Sequence, residues 1–448
     1  MTLYNRIVSF LIISKTLILY AQVPDTVWTK TFDNNPFDRA SSVLQTLDGG
    51  YIIFGETGTI EPTSTDAYII KTDHLGDTLW TRIYDIDSVD CLSDGNQTFD
   101  GGYIGAGHIS GQQNTSIFLM KTDQLGETLW TKIISEECIC YSVIQASDSG
   151  YVLVGEWLAL YPGLCLMKTD SDGNSIWDKR YDGTNDDFGW QVCQTSDGGY
   201  YVLGSTASFG SGSYDIWLLR TDADGDTLWT RTYGGTSIEY GGGLDITADG
   251  GCIIVGCTYS FGSGGGDIWL LRINNVGDTL WTKLFGGSSY DIGLCVRRTY
   301  EGGYIMTGLT ESFGVDSSAL WIIKTDANGT LLWGKLYDRP HIDYGNCVRQ
   351  TSDSGYIVVG HTFPASLTND IWLLKFATDT CAIFEEKLYI PMKRIHATII
   401  NESLLIPATS QFKIYDITGR MIEPDKITTG IYLLETEKQK TIKIIIIK

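Results

Sequence analysis

Apolar residues in this chain fall in short runs bounded by glycine, asparagine and aspartate, and the runs follow a fixed order. Over residues 239 to 286 the pattern predicts a strand from Gly243 to Thr247, a reversal at Asp249-Gly250-Gly251 and a second strand from Cys252 to Thr258. A third strand follows at Ile268-Trp269-Leu270-Leu271-Arg272, then a turn through Asn275 to Asp278 and a fourth strand from Thr279 to Phe285. Glycine at the first reversal permits the positive φ of a tight antiparallel turn. The second and third strands are apolar without alternation, as in Tyr201-Val202-Leu203-Gly204 and Ile216-Trp217-Leu218-Leu219. A sheet of this kind needs cover on both faces.

The cover comes from repetition. Asp-Thr-Leu-Trp or a near variant ends at Trp28, Trp80, Trp130, Trp177, Trp229, Trp281 and Trp333, and Asp-Gly-Gly-Tyr or a variant begins at Asp48, Asp100, Asp148, Asp197, Asp249, Glu301 and Asp353. Seven copies of each marker predict seven four-stranded meanders stacked side by side, with the tryptophans inserted between neighbours. The chain enters on an orphan fourth strand, Asp25-Thr26-Val27-Trp28-Thr29-Lys30, and the last copy stops after its third, Ile371-Trp372-Leu373-Leu374-Lys375. The expected architecture is all-β: a seven-bladed β-propeller over 23–378, closed by the N-terminal strand, which removes its open edge. A linker, 379–387, and a small C-terminal β-sandwich, 388–448, complete it.

Two resemblances add to this reading. Lys71 to Trp80, Lys-Thr-Asp-His-Leu-Gly-Asp-Thr-Leu-Trp, resembles the Asp-x-x-x-Gly-x-x-x-Trp docking motif of bacterial quinoprotein-like propellers. It implies the architecture and not the cofactor, since no quinone-binding constellation accompanies it. At the C-terminus, Ile414-Tyr415-Asp416-Ile417-Thr418-Gly419-Arg420, then Thr429-Gly430-Ile431-Tyr432-Leu433, then 443–448, are similar to the sorting domain of type IX secretion cargo. The resemblance implies that Tyr415, Asp416, Gly419, Arg420, Gly430 and Tyr432 carry the sorting motif, that the type IX machinery is a partner, and that the protein is secreted or held at the outer-membrane surface. The family's Asn-Pro-containing first strand has no counterpart, the stretch reading Leu388-Tyr389-Ile390-Pro391-Met392.

The N-terminus agrees with export. An apolar run from Ile7 to Tyr20, interrupted by Lys15 and followed by Ala21-Gln22, predicts a signal peptide over 1–22. No cysteine near that point supports a lipid anchor, and no later segment is long and apolar enough to predict a transmembrane span. A formal charge of −22 repels phosphate backbones, which excludes nucleic acid as an expected partner. The ten cysteines are scattered singly among strands and read as small buried hydrophobes, and Cys138-Ile139-Cys140 lacks a second pair at zinc spacing.

Candidate chemistry is sparse. The five histidines occupy unrelated repeat positions, and no nucleophile–base spacing or phosphate loop is present. A non-enzymatic binding or adhesion scaffold for a glycan or another surface protein is therefore the expected function; a carbohydrate-active lyase or glycosidase and a purely structural surface protein are the alternatives. Variable loops between second and third strands, and between repeats, nominate Phe209, Tyr214, Phe261, Phe313, Phe188, Tyr240, Tyr290 and Tyr344 as the binding face. Ten residues before each turn acid lie Asp38, Asp90, Cys138, Asp187, Glu239, Asp291 and Asp343. These carboxylates are expected to accept backbone N–H groups. No cofactor is expected; Ca²⁺ held by Asp187, Glu239, Asp291 and Asp343 is the alternative reading of the same positions.

Overall fold

The computed structural model describes residues 23–59, 64–111, 115–313, 317–338, 342–363 and 368–379, and short strand segments between 399 and 446. The predicted signal peptide and most of the linker lie outside the described residues. Contacts divide the chain into two compact units, Met1–Phe384 and Glu385–Lys448.

In the first unit every regular element among the described residues is a β-strand. β1 is Thr26–Phe32, followed by β2 to β5, Phe37–Gln45, Tyr51–Gly58, Thr65–Thr72 and Thr78–Tyr84. β6 to β9 are Val89–Gln97, Tyr103–Ser110, Thr115–Thr122 and Thr128–Glu136, and β10 to β13 are Cys138–Gln145, Tyr151–Trp157, Gly163–Thr169 and Ser175–Tyr181. β14 to β17 are Asp187–Gln194, Tyr200–Thr206, Asp215–Thr221 and Thr227–Tyr233, and β18 to β21 are Glu239–Ile246, Cys252–Thr258, Asp267–Ile273 and Thr279–Phe285. β22 to β25 are Asp291–Arg298, Tyr304–Thr310, Ala319–Thr325 and Leu331–Tyr337, and β26 to β28 are Ile342–Gln350, Tyr356–Phe363 and Asp370–Phe376.

Each set of four pairs in sequence order as an antiparallel meander. The sets β2 to β5 and β6 to β9 touch through a single parallel pair, Thr65 opposite Val89, and so count as one eight-stranded sheet. β1 pairs antiparallel with β28, Trp28 lying opposite Lys375 and Thr31 opposite Trp372, so the last sheet runs β1-β28-β27-β26. The first strand of every set packs against the set before it, and β2 packs in the same way against β26, β27 and β28.

Burial follows the sequence pattern. Second and third strands such as β15 and β16 are buried at every position, whereas outer strands such as β21 alternate between half-buried and exposed. The recurring tryptophans explain the cover. Trp28, on the outer strand of one sheet, meets Tyr51 of the next at 5.8 Å, and a Cβ on Gly76 would stand 2.8 Å from its ring. Trp80 repeats this with Tyr103 and Gly126, and Trp281 with Tyr304 and Gly329. Glycine in these turns is required twice over, by φ near +80° and by the indole against it.

The turn acids have a structural task. Asp249 receives Thr247 Oγ1 at 2.7 Å, the Gly251 N–H at 3.3 Å and Arg272 Nη2 at 2.5 Å. Equivalent ion pairs join Lys71 to Asp48, Lys121 to Asp100, Lys168 to Asp148, Arg220 to Asp197, Lys324 to Glu301 and Lys375 to Asp353. In each the cation is buried and the acid reaches the surface, so the turn caps a charge that would be costly to leave unpaired.

In the second unit β29 (Ile399–Ile400) and β30 (Ser403–Leu404) form a hairpin. β31 (Phe412–Asp416), β32 (Met421–Ile422), β33 (Gly430–Thr436) and β34 (Thr441–Ile446) make an antiparallel sheet of order β32-β31-β33-β34. This sheet and hairpin are what the described residues contain of the expected sandwich.

Candidate functional site

The acidic positions stand at the start of the first strand in six of the seven sets, Cys138 taking the place in β10, and all six are fully buried. Asp38 accepts the N–H groups of Asn34 at 2.5 Å and Asn35 at 3.0 Å, and Asp90 those of Ile86 at 2.6 Å and Asp87 at 3.0 Å. Asp187 accepts Gly183 N–H and Ser208 Oγ, both at 2.8 Å, and Asp291 accepts Gly287 N–H at 2.9 Å and Ser312 Oγ at 2.8 Å. Glu239, one methylene longer, takes Gly235 N–H at 2.8 Å and Thr258 Oγ1 at 2.9 Å. Each carboxylate thus anchors the loop that delivers its own strand. Burial, resisted by these donors, pushes the Asp38 and Asp90 carboxyls above the usual range.

The structure does not gather Asp187, Glu239, Asp291 and Asp343 into one group of ligands. Among the described residues the only three acidic, His or Cys side chains with ligand atoms mutually within 4.8 Å are Asp66, Asp85 and Asp90. Only Asp90 of that trio belongs to the acidic register; Asp66 is the second residue of β4 and Asp85 follows the last residue of β5.

The nominated aromatic residues separate into three groups. Phe209, Phe261 and Phe313 lie over Trp217, Trp269 and Trp321 of their own repeats, with ring centroids 5.4, 5.3 and 5.1 Å apart. They close the loop onto the sheet beneath. Tyr290 faces Tyr259 at 6.0 Å, and Tyr344 stacks on His361 at 4.8 Å.

Phe188, Tyr214 and Tyr240 belong to a continuous run. Its order is Tyr141, Trp190, Phe188, Tyr214, Tyr240, with successive centroids 5.0, 5.7, 5.9 and 5.4 Å apart. β10, β14 and β18 supply four of the rings, and the loop before β16 supplies Tyr214. All five are half-buried. The polar edges are occupied: Tyr141 Oη donates to Glu156 Oε2 at 3.1 Å, Trp190 Nε1 to Ser205 Oγ at 2.9 Å and Tyr214 Oη to Asp186 Oδ2 at 3.1 Å. Burial, with the Asp186 charge, raises Glu156, and burial with the same aspartate pushes Tyr214 up to about 12. Tyr141 and Trp190 are absent from the sequence-predicted set. Their signal was available, since each stands three residues after the acidic position of its repeat.

At the other end of the first strands lies a cavity of 560 Å³, lined by Gln97, Gln145, Gln194, Asp245, Arg298 and Phe99 among others. Its glutamines are committed to the fold. Gln97 Oε1 accepts the Leu47 N–H at 2.9 Å, and Gln145 and Gln194 accept the N–H groups of Phe99 and Ser147 at 2.8 Å. Each bond ties one repeat to the turn of the repeat before.

In the second unit Asp416 on β31 lies opposite Tyr432 on β33, next to the Tyr415–Leu433 pair, and Gly430 begins β33. Gly419 and Arg420 lie outside the described residues.

No family model matches the chain, and no curated protein matches it. Solved structures do. An ulvan lyase from a new family of polysaccharide lyases, bound to GlcA(1-4)Rha3S, is similar with a TM-score of 0.53 and 10% identity over 78% of this chain and 96% of that one. The fold is a β-propeller repeat. The propeller domain of the Trilobed protease from Pyrococcus furiosus, described as having an open velcro topology, covers 75% of this chain and 93% of its own at 12% identity and a TM-score of 0.44. The Neurospora crassa Pan2 WD40 domain covers 75% and 88% at 10% identity and 0.47. At these identities the likeness concerns the propeller fold and not the chemistry.

Proposed function

We propose that residues 23–378 form a closed seven-bladed propeller, exported by the signal peptide and the type IX machinery, that binds a glycan along the aromatic run without turning it over. The observation that carries the binding is the run itself. Five rings from three successive repeats form one half-exposed apolar row, and the polar edges of three are held by the chain's own carboxylates and hydroxyl. Rings fixed in advance lose little freedom on binding, and their apolar surface suits the C–H faces of sugars. The charge of −22 favours a neutral saccharide over a polyanion. The similar lyase carries a saccharide, which places carbohydrate within reach of this architecture in another protein.

The test is a neutral-glycan array with the full mature chain, followed by calorimetry on the strongest hit. Trp190→Ala should weaken binding roughly tenfold, about 1.4 kcal/mol, while Phe261→Ala stays within about twofold. No neutral hit, or a Trp190→Ala variant binding like the parent, removes the reading; new reducing ends or unsaturated products removes its non-enzymatic part.

A further inference from the structure

Two cysteines occupy the same place in the first strands of successive repeats. Cys295 on β22 and Cys347 on β26 are each 4% exposed, and the two strands pack against one another. The Val348 N–H points at Cys295 Sγ from 3.4 Å, the Cys295 thiol donates to the Val348 carbonyl at 3.7 Å, and the Cys347 thiol donates to the Val43 carbonyl at 3.7 Å, so the Cys295 sulfur lies against the residue that follows Cys347. One repeat earlier the equivalent residue is Gly243, where a Cβ would stand only 2.9 Å from the Cα of Cys295. First strands of neighbouring repeats thus approach closely at this position, and a disulfide between Cys295 and Cys347 needs a Cα separation of roughly 4.4 to 6.8 Å.

We propose that Cys295 and Cys347 form a disulfide that staples the sixth repeat to the seventh. The oxidant is a disulfide-bearing thiol partner. The Cys295 thiolate attacks its S–S bond and releases one thiol; Cys347 then gives up its proton and displaces the second thiol as the Cys295–Cys347 bond forms. Two protons and two electrons pass to the partner, which leaves as two thiols. Because the folded pair is closed to solvent, the exchange belongs to folding, before the seventh repeat docks.

Cys138 and Cys165 supply an internal control. They share one buried cluster, but they lie on β10 and β12 of one sheet with β11 between, Cys165 opposite Gly155 and Cys138 opposite Trp157. Two strand spacings, about 9.5 Å, exceed the roughly 7 Å limit for a disulfide.

The full chain, unfolded in reductant and refolded in a mixture of reduced and oxidised glutathione, would be alkylated and digested without reduction. A cross-linked peptide pair containing Cys295 and Cys347 is expected, with Cys138 and Cys165 alkylated. The folded protein should melt several degrees lower after reduction, and Cys295→Ser should abolish that difference. Free, alkylated Cys295 and Cys347 in the folded protein, or a bond from either to another cysteine, overturns the proposal.

Discussion

A carboxylate's titration in this molecule depends on which end of a strand it occupies. At the turns burial pushes Asp249 up, but Thr247 and Arg272 outweigh it and hold the group at about 2, and Asp48, Asp100, Asp148, Asp197, Glu301 and Asp353 are likewise lowered. At the opposite ends of the strands, and midway along β6 at Asp94, Asp38, Glu56, Asp90, Asp94 and Glu156 are raised by burial. A lowered group stabilises the fold above its unfolded pKa, about 4, and loses that contribution as pH falls through its folded value. A raised group stabilises below about 4 and loses its contribution as pH rises through its folded value. Acidification from neutrality therefore first relieves the raised set and only then protonates the turns. The melting temperature should pass through a maximum at about pH 4 to 5 and fall steeply below pH 3. A steady decline from pH 7 downward would contradict this balance. The turn acids were legible because all seven stand at one repeat position. The aromatic run was legible only in part: Phe188, Tyr214 and Tyr240 stand in the variable loops and strand starts, whereas Tyr141 and Trp190 lie inside β10 and β14. The exchange at Cys252, where other repeats carry Tyr, was not legible: Trp229 finds Tyr201 of its own repeat, at 5.9 Å, and Tyr201 Oη reaches Gly250 O at 3.0 Å.

Strand boundaries show where pattern and pairing part. β19 and β21 have the bounds that apolar content predicts, Cys252–Thr258 and Thr279–Phe285. β18 begins at Glu239 and not at Gly243, because Glu239-Tyr240-Gly241 pairs with Thr258-Cys257-Gly256 before a bulge that the glycines read as loop. In the second unit the pairing of β31 with β33 brings the first two of the three sequence blocks of the sorting resemblance side by side. That adjacency suits a recognition element built from both blocks. Removing residues 411–448 should leave a folded first unit that accumulates in the periplasm of a type IX-competent host, measured by fractionation and immunoblot. Undiminished secretion of the truncated chain would remove the sorting role.

The junction between the last set of strands and the first resembles the internal junctions. Ser352 N–H donates to Gln45 Oε1 at 2.7 Å, as Tyr300 N–H does to Gln350 at 2.7 Å and Leu47 N–H to Gln97 at 2.9 Å, although the first bond spans 307 residues of sequence. Asn346 Nδ2 reaches Ala40 O at 2.6 Å, and Asp38 N–H reaches Asn369 O at 2.8 Å, across the same junction. β1 completes it: Lys335 Nζ, from the preceding sheet, meets Pro24 O at 3.0 Å, and Trp28 covers Tyr51 in the sheet that follows. If the ring is closed, β1 is one of its twenty-eight strands, and without it β28 presents an unpaired edge between two packed neighbours. A chain lacking residues 23–33 should aggregate in light scattering and melt well below the parent. Trp28→Ala alone, which removes the cover but keeps the strand, should cost roughly 2 to 3 kcal/mol. A peptide of residues 24–33 added during refolding should bind the truncated chain and restore its solubility, because the missing strand pairs along its length with β28 and can be supplied from outside. A truncated chain that stays monomeric and melts like the parent would show that the first and last repeats hold together without it, and that the N-terminal strand is an accessory to the ring.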